Sequence, residues 1–281
     1  MTEARRYLAP AKLNLFLHIT GRRSDGYHEL QTLFQLLDYG DSMGFETDES
    51  GILSLHLSYA PGLSQDVPLD NNLVVRAAEA LRAAAGSPQL GASISLEKRL
   101  PSGAGLGGGS SNAATCLSVL NRLWQLDLSE DALCEIGVEL GADVPVFIRG
   151  KSAWAEGIGE RLEAVELGDS WYVVVSPKCS VSTAAIFCHE HLTRNSQAIK
   201  MADFLGGRAR NDCESVTRKL HPEVDQAFEI LAAIADFRMT GTGSSLFARF
   251  DSEAKAREAL NSLPDSLPGF LAKGIDSLAQ N

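Results

Sequence analysis

The stretch Pro101-Ser-Gly-Ala-Gly-Leu-Gly-Gly-Gly-Ser110-Ser-Asn-Ala-Ala114 places five glycines in seven positions, Gly103 to Gly109, and a helix-forming run follows at once. Ala113, Ala114, Leu117, Leu120, Leu123 and Trp124 recur at helical spacing, so Ser110 or Ser111 is expected to cap a helix reaching Trp124. The first amides of such a helix have no partner within it. Glycines let those N–H groups approach an anion without a Cβ in the way, and the helix dipole adds about half a positive charge there. Two other readings are open on this segment alone. One is a turn chosen for tightness, although tight turns seldom need five glycines. The other is a dinucleotide fingerprint, because Gly103, Gly105 and Gly108 match G-x-G-x-x-G. Against it, Glu97-Lys-Arg-Leu-Pro101 separates the glycines from the preceding apolar strand, which a fingerprint should follow directly. A Walker A loop is absent, since Ser and Asn stand where its Lys belongs, so a phosphate lysine must come from elsewhere.

Outward from the loop, apolar Leu13, Leu15, Leu17 and Ile19 alternate with Lys12, Asn14, Phe16 and His18. That period predicts a strand buried on one face, with Lys12 and Asn14 together on the other. Leu53, Leu55 and Leu57 repeat the alternation, as do Ile94 and Leu96, and Trp171 to Val175 reads as a fully buried strand. At least four strands are thus expected before residue 180. Helical spacing covers 72–85, 131–140, 225–235 and 253–263. Strands and helices alternate without a repeat of 20 to 50 residues or a Gly/Ser or Pro-rich linker, which predicts a mixed chain folded throughout. The turn-rich stretch from Gly157 to Gly168 is the expected boundary, giving two domains, 1–160 and 161–281.

Composition narrows the function classes. With 44% hydrophobic and 22% charged residues the chain lies far from disordered compositions. Its net charge of −11 argues against a nucleic-acid partner, which demands a basic surface. It does not exclude ATP, because a single nucleotide is held by backbone N–H groups, one or two Lys or Arg and a divalent metal. The five cysteines, Cys116, Cys134, Cys179, Cys188 and Cys213, are odd in number and never form a CxxC pair, so neither a disulfide framework nor a zinc site is expected. No signal-peptide pattern opens the chain and no apolar run approaches the roughly 20 residues that span a bilayer, so a cytoplasmic protein without a membrane partner is expected.

Three ordered segments, Pro10-Ala-Lys-Leu-Asn14, the Pro101 to Ala114 loop and Thr240-Gly-Thr-Gly-Ser-Ser245, resemble the motifs of the GHMP kinases, named for galactose, homoserine, mevalonate and phosphomevalonate. Further matches, Asp25-Gly-Tyr-His28, Leu140-Gly-Ala-Asp-Val-Pro-Val-Phe147 and Asn211-Asp-Cys-Glu214, look like a member acting on a cytidine-diphosphate-linked methylerythritol. The similarity runs from Leu8 to about Gly274. The resemblance implies an α+β, two-domain GHMP kinase fold, with an N-terminal domain like the second domain of ribosomal protein S5 and a ferredoxin-like C-terminal domain. It implies ATP as phosphoryl donor, Mg²⁺, small-molecule substrates alone, and a monomer or weak homodimer. One departure is Ala104, where many relatives carry glycine, so that position is expected at negative φ.

The same resemblance assigns roles. Asp143, in Gly141-Ala-Asp-Val-Pro145, would be the acid-base residue; Pro145 is expected to hold Val144 extended and so to leave Asp143 on a loop or strand edge. On residues alone it reads as a solvated turn aspartate, and Lys12 as a solvated strand lysine. In the resemblance Lys12 keeps Asp143 ionised and stabilises the phosphoryl group in flight. Tyr27 and Phe187 would sandwich a cytosine ring that His28 reads by hydrogen bonding, with Asn14 and Thr183 at the sugar-alcohol end. Without it, Tyr27 and Phe187 read as core residues and His28 as a surface or satisfied histidine. Asn72, Leu73 and Lys98 would form the adenine pocket, while Pro101, Ser102, Gly103, Ala104, Gly105, Leu106, Gly107, Gly108, Gly109, Ser110 and Ser111 would hold the phosphates. Gly241 and Gly243 either pack against the phosphate loop or form a simple turn into the strand from Leu246. A hydroxyl of Ser110 or Ser111 is a candidate Mg²⁺ ligand, and no carboxylate ligand can be named. Rival readings are another GHMP kinase of a small alcohol, a nicotinamide-dependent oxidoreductase using the literal G-x-G-x-x-G, and a nucleotide-binding protein without chemistry.

Overall fold

The structure, a computed structural model, describes residues 5–63 and 71–278. Two long antiparallel strands open it, β1 (Arg6–Arg22) and β2 (His28–Asp48), joined through a turn in which Gly26 takes φ 94°. Then come β3 (Leu53–Tyr59), α1 (Leu73–Ala84), β4 (Gly91–Lys98), α2 (Gly108–Leu123), α3 (Glu130–Leu140), α4 (Val144–Arg149) and a hairpin of β5 (Ala153–Gly157) with β6 (Arg161–Ala164). The remainder runs β7 (Trp171–Val175), α5 (Thr183–Cys188), α6 (Met201–Leu205), α7 (Glu214–Leu220), α8 (Pro222–Leu231), β8 (Arg238–Met239), β9 (Leu246–Phe250), α9 (Glu253–Asn261) and β10 (Gly269–Ile275).

One sheet runs through the described residues in the order β3-β4-β2-β10-β7-β9-β8, with β1 and the β5–β6 hairpin also joined to β2. Among the strands of the described residues only β3 and β4 pair in parallel; the other strand pairs are antiparallel. Within the second half, β7, β8, β9 and β10 lie in the order fourth-first-third-second, with helices inserted after the first and third strands, which is the β-α-β-β-α-β ferredoxin-like arrangement. The expected division at 160/161 falls in the turn between β5 and β6, and β10 crosses back to pair with β2 as well as β7.

The helices expected from spacing appear with shifts of a few residues, and the strands at 53–57, 94–96 and 171–175 lie in β3, β4 and β7. Among the described residues seven strands precede residue 180, which meets the expected minimum of four. The unforeseen strands include β2, whose 21 residues are buried on both faces over much of their length and so carry no alternation. The one-face reading of β1 is also corrected. Its register shifts between Pro10 and Lys12, between Asn14 and Leu17 and between Ile19 and Gly21, and each irregularity re-aims the side chains. Lys12, Asn14, Phe16 and His18 are consequently buried, at 1–3% exposure, like the leucines between them.

Three apolar clusters fill the molecule. One packs α1, α2, α3 and α4 on the N-terminal part of the sheet, and a second packs α7, α8 and α9 against β7 and β9. The third joins the halves, bringing Leu13, Phe16, Leu33 and Leu37 against Tyr172, Val174, Phe247 and Ala272. Gln35, fully buried, ties that seam: its Nε2 donates to Ser152 Oγ and to the Ile275 carbonyl, each at 3.1 Å, and its Oε1 accepts from Tyr172 Oη at 3.2 Å. Gln35→Leu keeps the volume and strands these partners in the core. Chemical denaturation is expected to show a loss of about 1–3 kcal/mol, the cost of leaving buried polar groups unsatisfied.

Candidate active site

The glycine loop enters α2 earlier than its sequence suggests. Gly107, at φ 73°, is the residue that caps the helix, and no side chain caps it; Ser110 and Ser111 lie within the first turn. Glycine permits this because its left-handed conformation turns the chain directly into the helix. The first helical bond is Ser111 N–H to the Gly107 carbonyl at 2.8 Å, so the amides of Gly108, Gly109 and Ser110 have no helical acceptor. Gly103, Gly105 and Gly107 all take positive φ, between 64° and 77°. Ala104 is absent from that set, as its side chain requires, and is buried. A Cβ on Gly105 would stand 2.4 Å from the Thr240 carbonyl oxygen, and one on Gly107 would stand 2.8 Å from the Phe147 ring.

Those contacts bring the loop down onto β1. The Lys12 amide donates to the Leu106 carbonyl at 3.0 Å, and the Lys12 ammonium, 4% exposed, lies 3.2 Å from Asp143 Oδ2 and 2.5 Å from Asn14 Oδ1. Asn14 is held in turn, its Nδ2 donating to Thr32 Oγ1 and its amide to Thr240 Oγ1, both at 2.9 Å. It therefore positions Lys12, a role that the sequence reading did not give it. Asp143 lies not at an extended edge but at the head of α4, with φ −85° and ψ −9°; Val144 is the first helical residue and Pro145 the second. Proline near a helix start gives up an amide that has no helical acceptor there, so it starts α4 instead of holding Val144 extended. The Asp143 side chain stays one-third exposed, facing the cleft while its partner is enclosed.

The second glycine turn meets the first. Thr240 Oγ1 donates to the Gly105 carbonyl at 3.3 Å, the Ser245 amide donates to the Ala104 carbonyl at 3.1 Å, and a Cβ on Gly241 would lie 3.3 Å from Gly105. Asn211, unassigned by sequence reasoning, braces this turn by donating to the Met239 and Gly241 carbonyls at 2.9 and 2.8 Å. Gly241 lines the cleft; Gly243 faces Met239 and Thr217 and does not.

At the other end, His28 and Phe187 approach with ring centroids 5.1 Å apart, tilted by 34°, while Tyr27 stands 60% exposed beside them. Thr183 Oγ1 lies 3.1 Å from Thr242 Oγ1. Arg194 was missed, being an unremarkable arginine in an irregular stretch; its Nε donates to His28 Nε2 at 3.1 Å. The His28 imidazole is held below its usual range, first by burial, then by the charges of Arg194 and Arg22.

Beyond the glycine loop, Asn72 caps α1 by accepting from the Val74 amide at 3.0 Å, and Leu73 begins the helix. Lys98 lines the cleft, but its ammonium is committed to Asp41, a fully buried carboxylate that also accepts from the Arg99 and Leu100 amides and from Asn112 Nδ2. Asp41 had no motif to mark it, and Asn112, although inside the Pro101–Ala114 segment, was given no role. One cleft of about 1150 Å³ collects Lys12, Asn14, Tyr27, His28, Asn72, Leu73, Lys98, residues 101–110, Asp143, Thr183, Phe187 and Gly241. Ser111 lies behind it, with a buried hydroxyl that has no hydrogen-bond partner among the described residues. For a hard cation riding on phosphate oxygens, the Ser110 hydroxyl is the fitting protein donor at the helix mouth. Among the described residues one group of side chains converges at chelating distance, Cys179, His221 and Glu223, with donor atoms within 4.8 Å of one another. It lies off the cleft, and its sulfur and imidazole donors suit a zinc-class ion rather than magnesium.

Family models match twice, the GHMP kinases N terminal domain over residues 72–151 and the GHMP kinases C terminal domain over 191–269. The chain is 53% identical over 266 residues to a 4-diphosphocytidyl-2-C-methyl-D-erythritol kinase of Pseudomonas aeruginosa (strain LESB58), covering 95% of this chain and 92% of that one. It is 53% identical over 272 residues to the protein of the same name from Marinobacter nauticus, covering 95% and 93%. Among solved structures, a 4-(cytidine 5'-diphospho)-2C-methyl-D-erythritol kinase superposes with a TM-score of 0.80 at 33% identity, over 96% of this chain and 99% of the other. A mevalonate kinase shares the fold, with a TM-score of 0.70 at 14% identity, over 98% and 100%.

The Asp41–Lys98 pair generates a prediction. Asp41→Asn keeps the shape and leaves an ammonium buried without its counter-charge, which should lower unfolding free energy by about 3–5 kcal/mol. Adding Lys98→Met removes the orphaned charge, so the double variant should recover most of that loss in the same denaturation experiment.

Proposed function

Since this chain belongs to the GHMP kinases, and within them to the 4-diphosphocytidyl-2-C-methyl-D-erythritol kinases, we propose that it transfers the γ-phosphoryl group of ATP to the 2-hydroxyl of 4-diphosphocytidyl-2-C-methyl-D-erythritol. The products are the 2-phosphate and ADP, in the synthesis of isoprenoid precursors. The observation that carries the reading is the Lys12–Asp143 pair on the cleft wall, at 3.2 Å, in the same cleft as the glycine loop and the His28–Phe187 pair.

The reacting hydroxyl is tertiary, crowded and weakly acidic, so a positioned base is useful. Asp143 accepts its proton as the oxygen attacks the γ-phosphorus and the bond to the β-phosphate oxygen breaks. Lys12, fixed by Asn14 and 3.2 Å from the Asp143 carboxylate, offers its charge to the oxygens of the group in flight. The amides of Gly108, Gly109 and Ser110 and the α2 dipole bind the phosphate chain. The Ser110 hydroxyl would hold a bound Mg²⁺, which would supply further neutralisation of the phosphate charge. Tyr27, His28 and Phe187 take the cytosine, Thr183 lies toward the sugar alcohol, and Asn72, Leu73 and Lys98 border the adenine. The domain division at 160/161, a cytoplasmic monomer or weak dimer, and the absence of nucleic-acid partners complete the proposal. Among the described residues no helix is long and apolar enough to cross a membrane.

ADP release with Mg·ATP, measured with the cytidylyl acceptor beside mevalonate, homoserine and galactose, tests the acceptor. Turnover confined to the cytidylyl compound is expected, and turnover with another alcohol alone would overturn the substrate assignment. Asp143→Asn should cost at least about 10²-fold in kcat, the usual scale of general-base catalysis, with KM for ATP little changed. Wild-type turnover in that variant would remove Asp143 from the mechanism.

A further inference from the structure

Arg194 commits four of its N–H donors around the end of the cleft where His28 and Phe187 meet. Nε donates to His28 Nε2 at 3.1 Å, one terminal nitrogen to the Leu192 carbonyl at 3.1 Å, and the other to the carbonyls of Phe187 and His189 at 2.9 and 2.8 Å. A guanidinium has donors and no acceptor, and it does not deprotonate in proteins. The imidazole nitrogen facing it must therefore offer a lone pair. In the neutral ring the proton then resides on Nδ1, and a second proton on Nε2 would point at a fixed positive charge.

The same side chain fixes the aromatic neighbour. Phe187 is the penultimate residue of α5, and its carbonyl is held by the guanidinium that holds His28, so both rings of the pair are referred to one planar group. Five donors in a rigid fork suit this task; a lysine in the same place would supply a charge without the fork.

We propose that Arg194 is a positioning and specificity-determining residue, which locks His28 in the Nδ1–H tautomer so that the pocket donates a hydrogen bond to an unprotonated ring nitrogen of the base. Cytosine offers a lone pair at N3, whereas uracil carries a proton there and would oppose donor to donor. The pocket thus selects cytidylyl over uridylyl acceptors through a residue that touches neither. This inference rests on the cytidylyl-acceptor reading given above.

Two measurements test it on the intact protein. Long-range ¹⁵N–¹H correlation spectra of wild type near pH 8, with His28 assigned through His28→Gln, should show His28 protonated at Nδ1. An Nε2–H tautomer overturns the proposal whatever any variant does. In Arg194→Gln, KM for the cytidylyl acceptor should rise at least about tenfold, with kcat and KM for ATP within about twofold, because phosphoryl transfer lies elsewhere. The preference for the cytidylyl over the uridylyl acceptor should shrink by a similar factor, and His28 should titrate higher once a neighbouring positive charge is gone. Arg194→Lys should return the His28 titration toward wild type without restoring KM. An unchanged acceptor KM or unchanged base preference in folded Arg194→Gln overturns the proposal. Should the enzyme use another alcohol, the substrate reading fails through the acceptor panel, while the tautomer spectrum still decides the role of Arg194.

Discussion

Much of this architecture is organised around one ammonium group taken out of water. The Lys12 side chain is 4% exposed and its charge must be compensated, and it is held between the Asp143 carboxylate, the Asn14 amide oxygen and the face of Phe34, 5.3 Å from its ring centroid. Each partner comes from a different part of the chain. Asn14 comes from the same bulged strand, Phe34 from β2 across the ladder, and Asp143 from the head of α4. The glycine loop closes over the lysine stem because Gly107 lacks a Cβ; a larger residue would meet both Phe147 and Lys12. A buried pair of this kind contributes little net stability, since desolvation offsets the attraction. Its persistence beside a one-third-exposed carboxylate in the cleft is what a charge held ready for phosphoryl oxygens requires.

The chain carries a net charge of −11, yet the function proposed for its cleft requires it to receive a polyanion. The compensation is local and comes from backbone as much as side chains. Lys98 contributes little free positive charge, because Asp41 neutralises it in the interior. That leaves the uncapped amides at the start of α2 and the shared charge of Lys12 as the principal positive features at the glycine-loop end of the cleft. Such an arrangement binds by geometry: the amides are preorganised by Gly103, Gly105 and Gly107, and the second glycine turn, braced by Asn211, fixes them from behind.

Legibility differed by element for physical reasons. The amphipathic helices α1, α2, α3, α8 and α9 announced themselves because one face meets the core and the other meets water. Strands buried on both faces leave no such trace, so β2 went unseen and the polar side chains of β1 were expected on a face apart from its buried leucines. Ser110 and Ser111 looked like caps because serine caps helices in general, but a glycine in the left-handed region can start a helix earlier than any side-chain signal indicates. Asp41 and Arg194 act through contacts with residues far away in the chain, and no local pattern encodes them; Asn112 and Asn211 stand in matched segments, but their partners lie far away in the chain, so the match gave them no role.

What the sequence by itself determined was the chemistry on offer: a glycine loop before an amphipathic helix, a lysine within a first strand, an aspartate ahead of a proline, and a second glycine turn in the right order. Those features depend on residue type and near-neighbour spacing, which a linear chain displays. Tertiary structure alone decided which charges are free and which are spent. Whether a lysine faces phosphate or a buried aspartate, and which nitrogen of a histidine carries its proton, depends on groups up to 166 positions away in the chain. Those partners meet only when the β1–β2 ladder, the two glycine turns and the seam between the halves pack together, because burial removes the water that would otherwise satisfy each group alone.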